Sequence, residues 1–163
     1  MIKKIVIGVF IIVSAMAQVP FSQAAEVEIK WSNIDNYTDI EAGEENRKYF
    51  KEWVSKSIGK HIDKLANSLP SDQKLIIEVL NVDLAGTVKY KGSKQVRIIK
   101  EAFPPELELQ YKLVNSENSV IKEETILLRN LKFLQSVSTK YRSQSLGYEK
   151  EMLDDWFKDT FTE

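Results

Sequence analysis

The chain has 163 residues, with 23 basic and 24 acidic side chains for a net charge of −1. A dedicated nucleic-acid binder carries a clear excess of lysine and arginine, so this balance excludes that class. There is no cysteine, hence no disulfide, no thiolate metal site and no cysteine for lipid attachment; stability must come from a buried core.

The chain opens MIKKIVIGVFIIVSAMAQVPFSQAAEVEI. Lys3 and Lys4 form a positive start, and Ile5 to Ala17 is a 13-residue uncharged, mostly apolar stretch. Ser22 and Ala24 then supply the small-x-small spacing that a signal peptidase reads. The pattern predicts a secretory signal peptide over residues 1–24, cut after Ala24, with Ala15-Met16-Ala17 as an earlier alternative. A spanning anchor needs about 20 apolar residues, which this stretch does not reach. No later stretch does either, so no stable membrane insertion is expected once the leader is removed. Residues 25–163 are expected to form one domain of 139 residues, long enough to bury a core without covalent staples. Without Lys3 and Lys4 that domain holds 21 bases against 24 acids, a net charge of −3.

VEIKWS places Val27, Ile29 and Trp31 on one side of a short strand and Glu28, Lys30 and Ser32 on the other. A turn-rich segment follows, then a long helix from about Glu44 to Ser68, where Phe50, Val54, Ile58, Ile62, Leu65 and Leu69 make one apolar stripe. Glu44 and Glu45 are expected in its first turn, and Pro70 stops it. His61, the sole histidine, falls inside the stripe and reads as a packed, hydrogen-bonded residue rather than a ligand.

KLIIEVLNVDLAG is apolar on both sides, the mark of a central strand, with Leu75, Ile77 and Val79 facing one way and Ile76, Leu80, Val82 and Leu84 the other. Asp83 closes it, where a carboxylate either bonds the following turn or, with a raised pKa, does acid–base work. TVKYKGSKQVRIIKEAF is weaker strand, broken by Gly92 and Ser93. Leu107, Leu109, Tyr111 and Leu113 then alternate with polar residues, and NSEN turns into a partner strand, SVIKEETILLRNL. Leu134 to Gly147 reads as a polar, basic surface loop.

A closing helix starts near Tyr148, with Met152, Leu153, Trp156, Phe157 and Phe161 on its apolar arc. Asp154 and Asp155 fall outside that arc and read as its solvated side, with Lys150 and Lys158 four residues either side of Asp154. Glu151, Asp155 and Asp159 line up at four-residue spacing; a solvated acidic face is favoured over a cation site, because calcium takes its ligands from a tight loop. The expected fold is α+β. One mostly antiparallel sheet of about five strands carries the long N-terminal helix and the C-terminal amphipathic helix on one face, and the opening strand–helix–strand unit is compatible with a parallel pair.

Two charge blocks stand out. Thr87 to Lys100 holds Lys89, Lys91, Lys94, Arg97 and Lys100 and no acid, net +5; Tyr148 to Glu163 is net −4. Either the two lie together or each meets a partner of opposite sign. The lysines of the first, with Tyr90 among them, make a candidate surface for anionic groups. Asp83, Arg97, Tyr148, Asp154 and Asp155 are the remaining candidate functional residues. No cofactor is expected: no glycine-rich phosphate loop, G-x-S-x-G elbow or set of zinc ligands is present.

Trp31 with Tyr37-Thr38-Asp39, NVDLAG at 81–86, FPPELELQYKL at 103–113, LLRNLKFL at 127–134 and YEKEMLDDWF at 148–157 together resemble the family known as domain of unknown function 3016, small exported bacterial proteins. The resemblance spans the mature chain and implies a periplasmic location. It brings no activity and no catalytic residues. The functional expectation is a non-catalytic binding module whose partner is a protein or envelope component; the alternative is a carboxylate enzyme with Asp83 in its site.

Overall fold

The structure is a computed structural model and describes residues 25–162. The expected signal peptide lies outside the described residues. The first strand, β1 (Glu26–Trp31), runs parallel to β2 (Lys74–Asp83), with Glu26 opposite Lys74 and Trp31 opposite Val79. Between them α1 (Arg47–Ala66) makes the crossover that a parallel pair requires. The helix starts later than the charge pattern suggested. Asn46 is its N-cap, accepting from the Lys48 and Tyr49 amides, so Glu44 and Glu45 precede the helix.

β5 (Glu106–Val114) pairs antiparallel with β2, and β6 (Val120–Arg129) with β5, as the alternation required. The sheet order is β1-β2-β5-β6: four strands, mixed rather than a mostly antiparallel five. The basic segment is the reason for the difference. β3 (Thr87–Lys91) and β4 (Lys94–Ile98) pair only with each other and form a separate hairpin. With lysines along its length and few residues to bury, this ribbon has little apolar surface to offer a sheet.

The core lies on one face of the sheet. Val54, Ile58 and Ile62 of α1 meet Leu75, Ile77 and Val79 of β2, and Leu107, Leu109 and Tyr111 of β5. A bulge between Val79 and Asn81 shifts the register of β2. Val82 and Leu84 therefore join Leu75 in the core instead of facing away, and Asn81 and Asp83 turn to the open face. That open face is polar, with ion pairs Lys30–Glu78, Lys112–Glu123 and Arg129–Glu106.

α4 (Gly147–Phe161) completes the core with Met152, Leu153, Trp156 and Phe157. Trp156 stacks edge-on against Tyr111 at 5.4 Å, so the indole docks the helix on the sheet as its apolar arc predicts. The expected surface loop before α4 is instead two short helices, α2 (Phe133–Ser136) and α3 (Thr139–Arg142). Phe133, Val137 and Tyr141 are buried from it, three widely spaced side chains in an otherwise polar text. No helix among the described residues is long and apolar enough to cross a membrane.

Candidate functional site

The chain reverses at Gly86, which has φ +86°, immediately after β2; a Cβ there would collide with the carbonyl oxygen of Ile98. This close approach brings Arg97 of β4 back over the end of β2. Its guanidinium forks onto Asp39, with Nη2 to Oδ1 at 2.7 Å and Nη1 to Oδ2 at 3.0 Å. It also donates to the carbonyls of Leu84, Ala85 and Glu41 at 3.1–3.3 Å, while its Nε is buried without a partner. Asp39 is held in turn by backbone bonds to β2: its N–H donates to Val82 and its carbonyl accepts from Leu84. Thr38 is fixed to the Asn81 amide beside it.

From the other side comes Glu149, in the first turn of α4 and only 2 % exposed. Its Oε1 accepts the Ala85 N–H at 2.8 Å. Burial pushes its carboxyl pKa up, against the Ala85 amide and the Arg97 charge, which pull it down. Gly147 lets α4 start here, because a Cβ at that position would run into the Tyr141 carbonyl. Around Arg97 and Glu149 opens a cleft of about 280 Å³, walled by Phe50 and Trp53 of α1, Ile99 after the hairpin, and Leu146 and Tyr148. Trp53 is 43 % and Ile99 39 % exposed at its mouth.

Of the sequence candidates, Arg97 and Tyr148 meet in this cleft. Asp83 lies around the edge, on the open face of the sheet, with Glu106 opposite it and Asp39 in a parallel bridge beside it. Its carboxyl is pushed up to about 6, by burial first and then by Asp39 and Glu106, against Arg97 and Arg129.

Asp154 does not converge with them. It sits in a neighbouring pocket with His61 and Tyr141, and it is buried, not solvated as the helical wheel implied. Lys140 and Tyr141 of α3 and His61 of α1 pack around it. Burial raises its carboxyl, but Lys158 at 3.0 Å and Lys140 at 3.4 Å outweigh that and hold it below its ordinary value. Lys150, the other expected partner, donates instead to the Ser145 carbonyl. Asp155 is exposed as expected. Glu151 turns inward to accept the Ser138 N–H, while Asp155 and Asp159 face solvent, so the three do not form one acidic face.

His61 hydrogen-bonds the Lys150 carbonyl through Nε2 at 2.9 Å and packs edge-on against Tyr141, the structural role its position in the stripe suggested. Lys89, Lys91 and Lys94 lie on the hairpin. Among the described residues they make no ion pair with α4; the two charge blocks meet only where Arg97 and Glu149 share the cleft.

Residue-by-residue reading of the sequence passed over Glu149, Asp39 and Tyr141 as site candidates. For Glu149 a signal existed: an acid in the first turn of a helix that starts right after a glycine. For Asp39 and Tyr141 only the tertiary contacts identify the role.

The described residues thus form an α+β fold whose β2–β3 turn, basic hairpin and last helix close around a small cleft. The family model described as Protein of unknown function (DUF3016) matches residues 25–159, and the chain belongs to that family. Neither a curated protein nor a solved structure matches it.

Proposed function

We propose that this chain is an exported, non-catalytic binding module of the cell envelope, and that its cleft receives a large apolar side chain from a partner protein. The observation that carries this reading is how polar and apolar groups divide around Arg97. The terminal nitrogens of the guanidinium are engaged by Asp39 and three carbonyls, and Glu149 by Ala85, so these charges hold the walls together. Among its exposed lining residues the large apolar ones are Trp53 and Ile99, beside Arg142, Gln144 and Ser145. Pockets for drug-sized ligands start near 300 Å³. A cleft of about 280 Å³ is better matched to one anchoring side chain at a protein interface.

Export is supported by the basic start and the short apolar stretch of residues 1–24. Fractionation and N-terminal sequencing test it; a chain beginning at Ala25 in the periplasm is the expected result. For the cleft, an affinity capture with wild type and Trp53→Glu is decisive. The variant should lose a partner that the wild type retains, with its circular dichroism unchanged. Identical capture by both would refute the cleft reading.

A second reading rests on Asp83, whose proton exchanges near pH 6 on an accessible face beside Asp39 and Glu106. That is the property of a carboxylate acid–base catalyst. If Asp83→Asn folds normally yet reproduces the phenotype of deleting the protein, the enzyme reading displaces the module.

A further inference from the structure

The β3–β4 hairpin carries more charge than its own structure can use. Its register sets Lys89 opposite Val96 and Lys91 opposite Lys94, so the three lysines share one face of the ribbon. Lys91 and Lys94 are directly paired across the turn, and like charges in that position destabilise a hairpin. Some surface lysines find carboxylates, as Lys30 does with Glu78, Lys74 with Glu26 and Glu28, and Lys112 with Glu123, while others such as Lys56 and Lys60 do not among the described residues. Among the described residues these three have none, and residues 87–100 contain no acid. Lys89 lies instead over the Phe103 ring, 5.8 Å from its centroid. Tyr90, 74 % exposed, lies on the other face of the ribbon, opposite Gln95.

We propose that this hairpin docks on an anionic phospholipid surface. The lysines face headgroup phosphates, which relieves the Lys91–Lys94 repulsion. Alternate residues of a strand are about 7 Å apart, so Lys89 and the Lys91–Lys94 pair reach farther than one phosphate bridges. A layer of headgroups supplies several phosphates at once. The ribbon pairs with no strand of the main sheet, and the residues at its tip, Lys91 to Lys94, are exposed.

This inference shares only the envelope location with the proposed function. The cleft lies on the Arg97 side of the hairpin, and the lysines are on the opposite face.

The test is co-sedimentation of residues 25–163, which contain the whole described core, with vesicles of phosphatidylglycerol and phosphatidylcholine or of phosphatidylcholine alone. Wild type should bind the anionic vesicles at least about tenfold better, and high salt should abolish the difference. Each lysine near such a surface contributes about a factor of five, so Lys89→Gln, Lys91→Gln and Lys94→Gln together should cost about 100-fold. Tyr90→Ala, on the other face of the ribbon, should bind like wild type. Circular dichroism confirms that each variant is folded. Equal binding to both vesicles, or binding unchanged in the triple variant, overturns the proposal. Displacement by inorganic phosphate at matched ionic strength also overturns it, by reassigning the lysines to a soluble anion. Trp53→Glu should bind vesicles like wild type; if no form binds vesicles while Trp53→Glu still loses its protein partner, the hairpin proposal fails and the cleft stands.

Discussion

The backbone N–H of Ala85 donates to the buried carboxylate of Glu149 at 2.8 Å, across 64 residues of chain. One bond joins the turn after the central strand to the first turn of the last helix. It ties NVDLAG to YEKEMLDDWF, two of the segments on which the family resemblance rests. Glu149→Ala orphans a buried amide and should cost about 2–3 kcal/mol, read by denaturant melts. Glu149→Gln keeps an oxygen for Ala85 and tests the charge separately. The folded-state pKa is raised, so the folded chain holds this proton longer than the unfolded one. Wild-type stability therefore falls as pH rises from the ordinary value of 4.5 through the folded one, and the Gln variant gains on it over that window. A Gln variant that falls further behind wild type as pH rises would contradict the assignment.

Arg97 and Asp39 form the other cross-link, with both side chains about four-fifths buried. Removing one partner leaves an uncompensated charge, so Arg97→Ala should destabilise by about 2–4 kcal/mol. Lysine cannot reproduce the planar fork or reach the three carbonyls, and Arg97→Lys should recover less than half of that loss. A double-mutant cycle with Asp39→Ala should return a coupling of at least about 1 kcal/mol; additive losses would show that the pair is not a unit.

Asp83 should be a stability liability at neutral pH. Its folded pKa of about 6 exceeds the ordinary 3.8, so the unfolded chain releases the proton first and wild-type stability drops between those values as pH rises. Because the side chain is partly solvated, the full cost of the shift is screened. Asp83→Asn should stabilise by about 1 kcal/mol at pH 7 and be close to neutral at pH 3–4. Urea melts at both pH values decide it.

Gly147 is expected to resist substitution. A methyl group there meets the Tyr141 carbonyl, a backbone atom that cannot swing away, so Gly147→Ala should lower stability by about 2–4 kcal/mol despite alanine's better helix propensity. Gly92, at the hairpin tip with open space around it, serves as the control; Gly92→Ala pays only for its φ of +66°.

Where a single side-chain period decides the outcome, the sequence was readable. The β5–β6 hairpin, the α1 stripe and the Trp156 arc each depend on local alternation and emerged as expected. The misses share a different cause. One bulged residue in β2 moved Val82 and Leu84 to the core and Asp83 to the open face, and no composition signal marks such an insertion. Asp154 looked wet because a wheel shows one helix alone; α3 and α1 pack over it. Of the candidate site, Arg97 and Tyr148 were legible as individual residues, but not as neighbours.

By itself the sequence determined the family, the long helices, the β5–β6 hairpin and the apolar faces of α1 and α4. Those follow from periodicity and from how much apolar surface each segment carries. The tertiary structure alone decided that Arg97 spends its charge on Asp39, that Glu149 is sealed beneath Ala85, and that three lysines share one unpaired face of a hairpin. These are matters of which distant segments touch and of where water is excluded. The energy of a charge depends on both, and neither is written in the local order of residues.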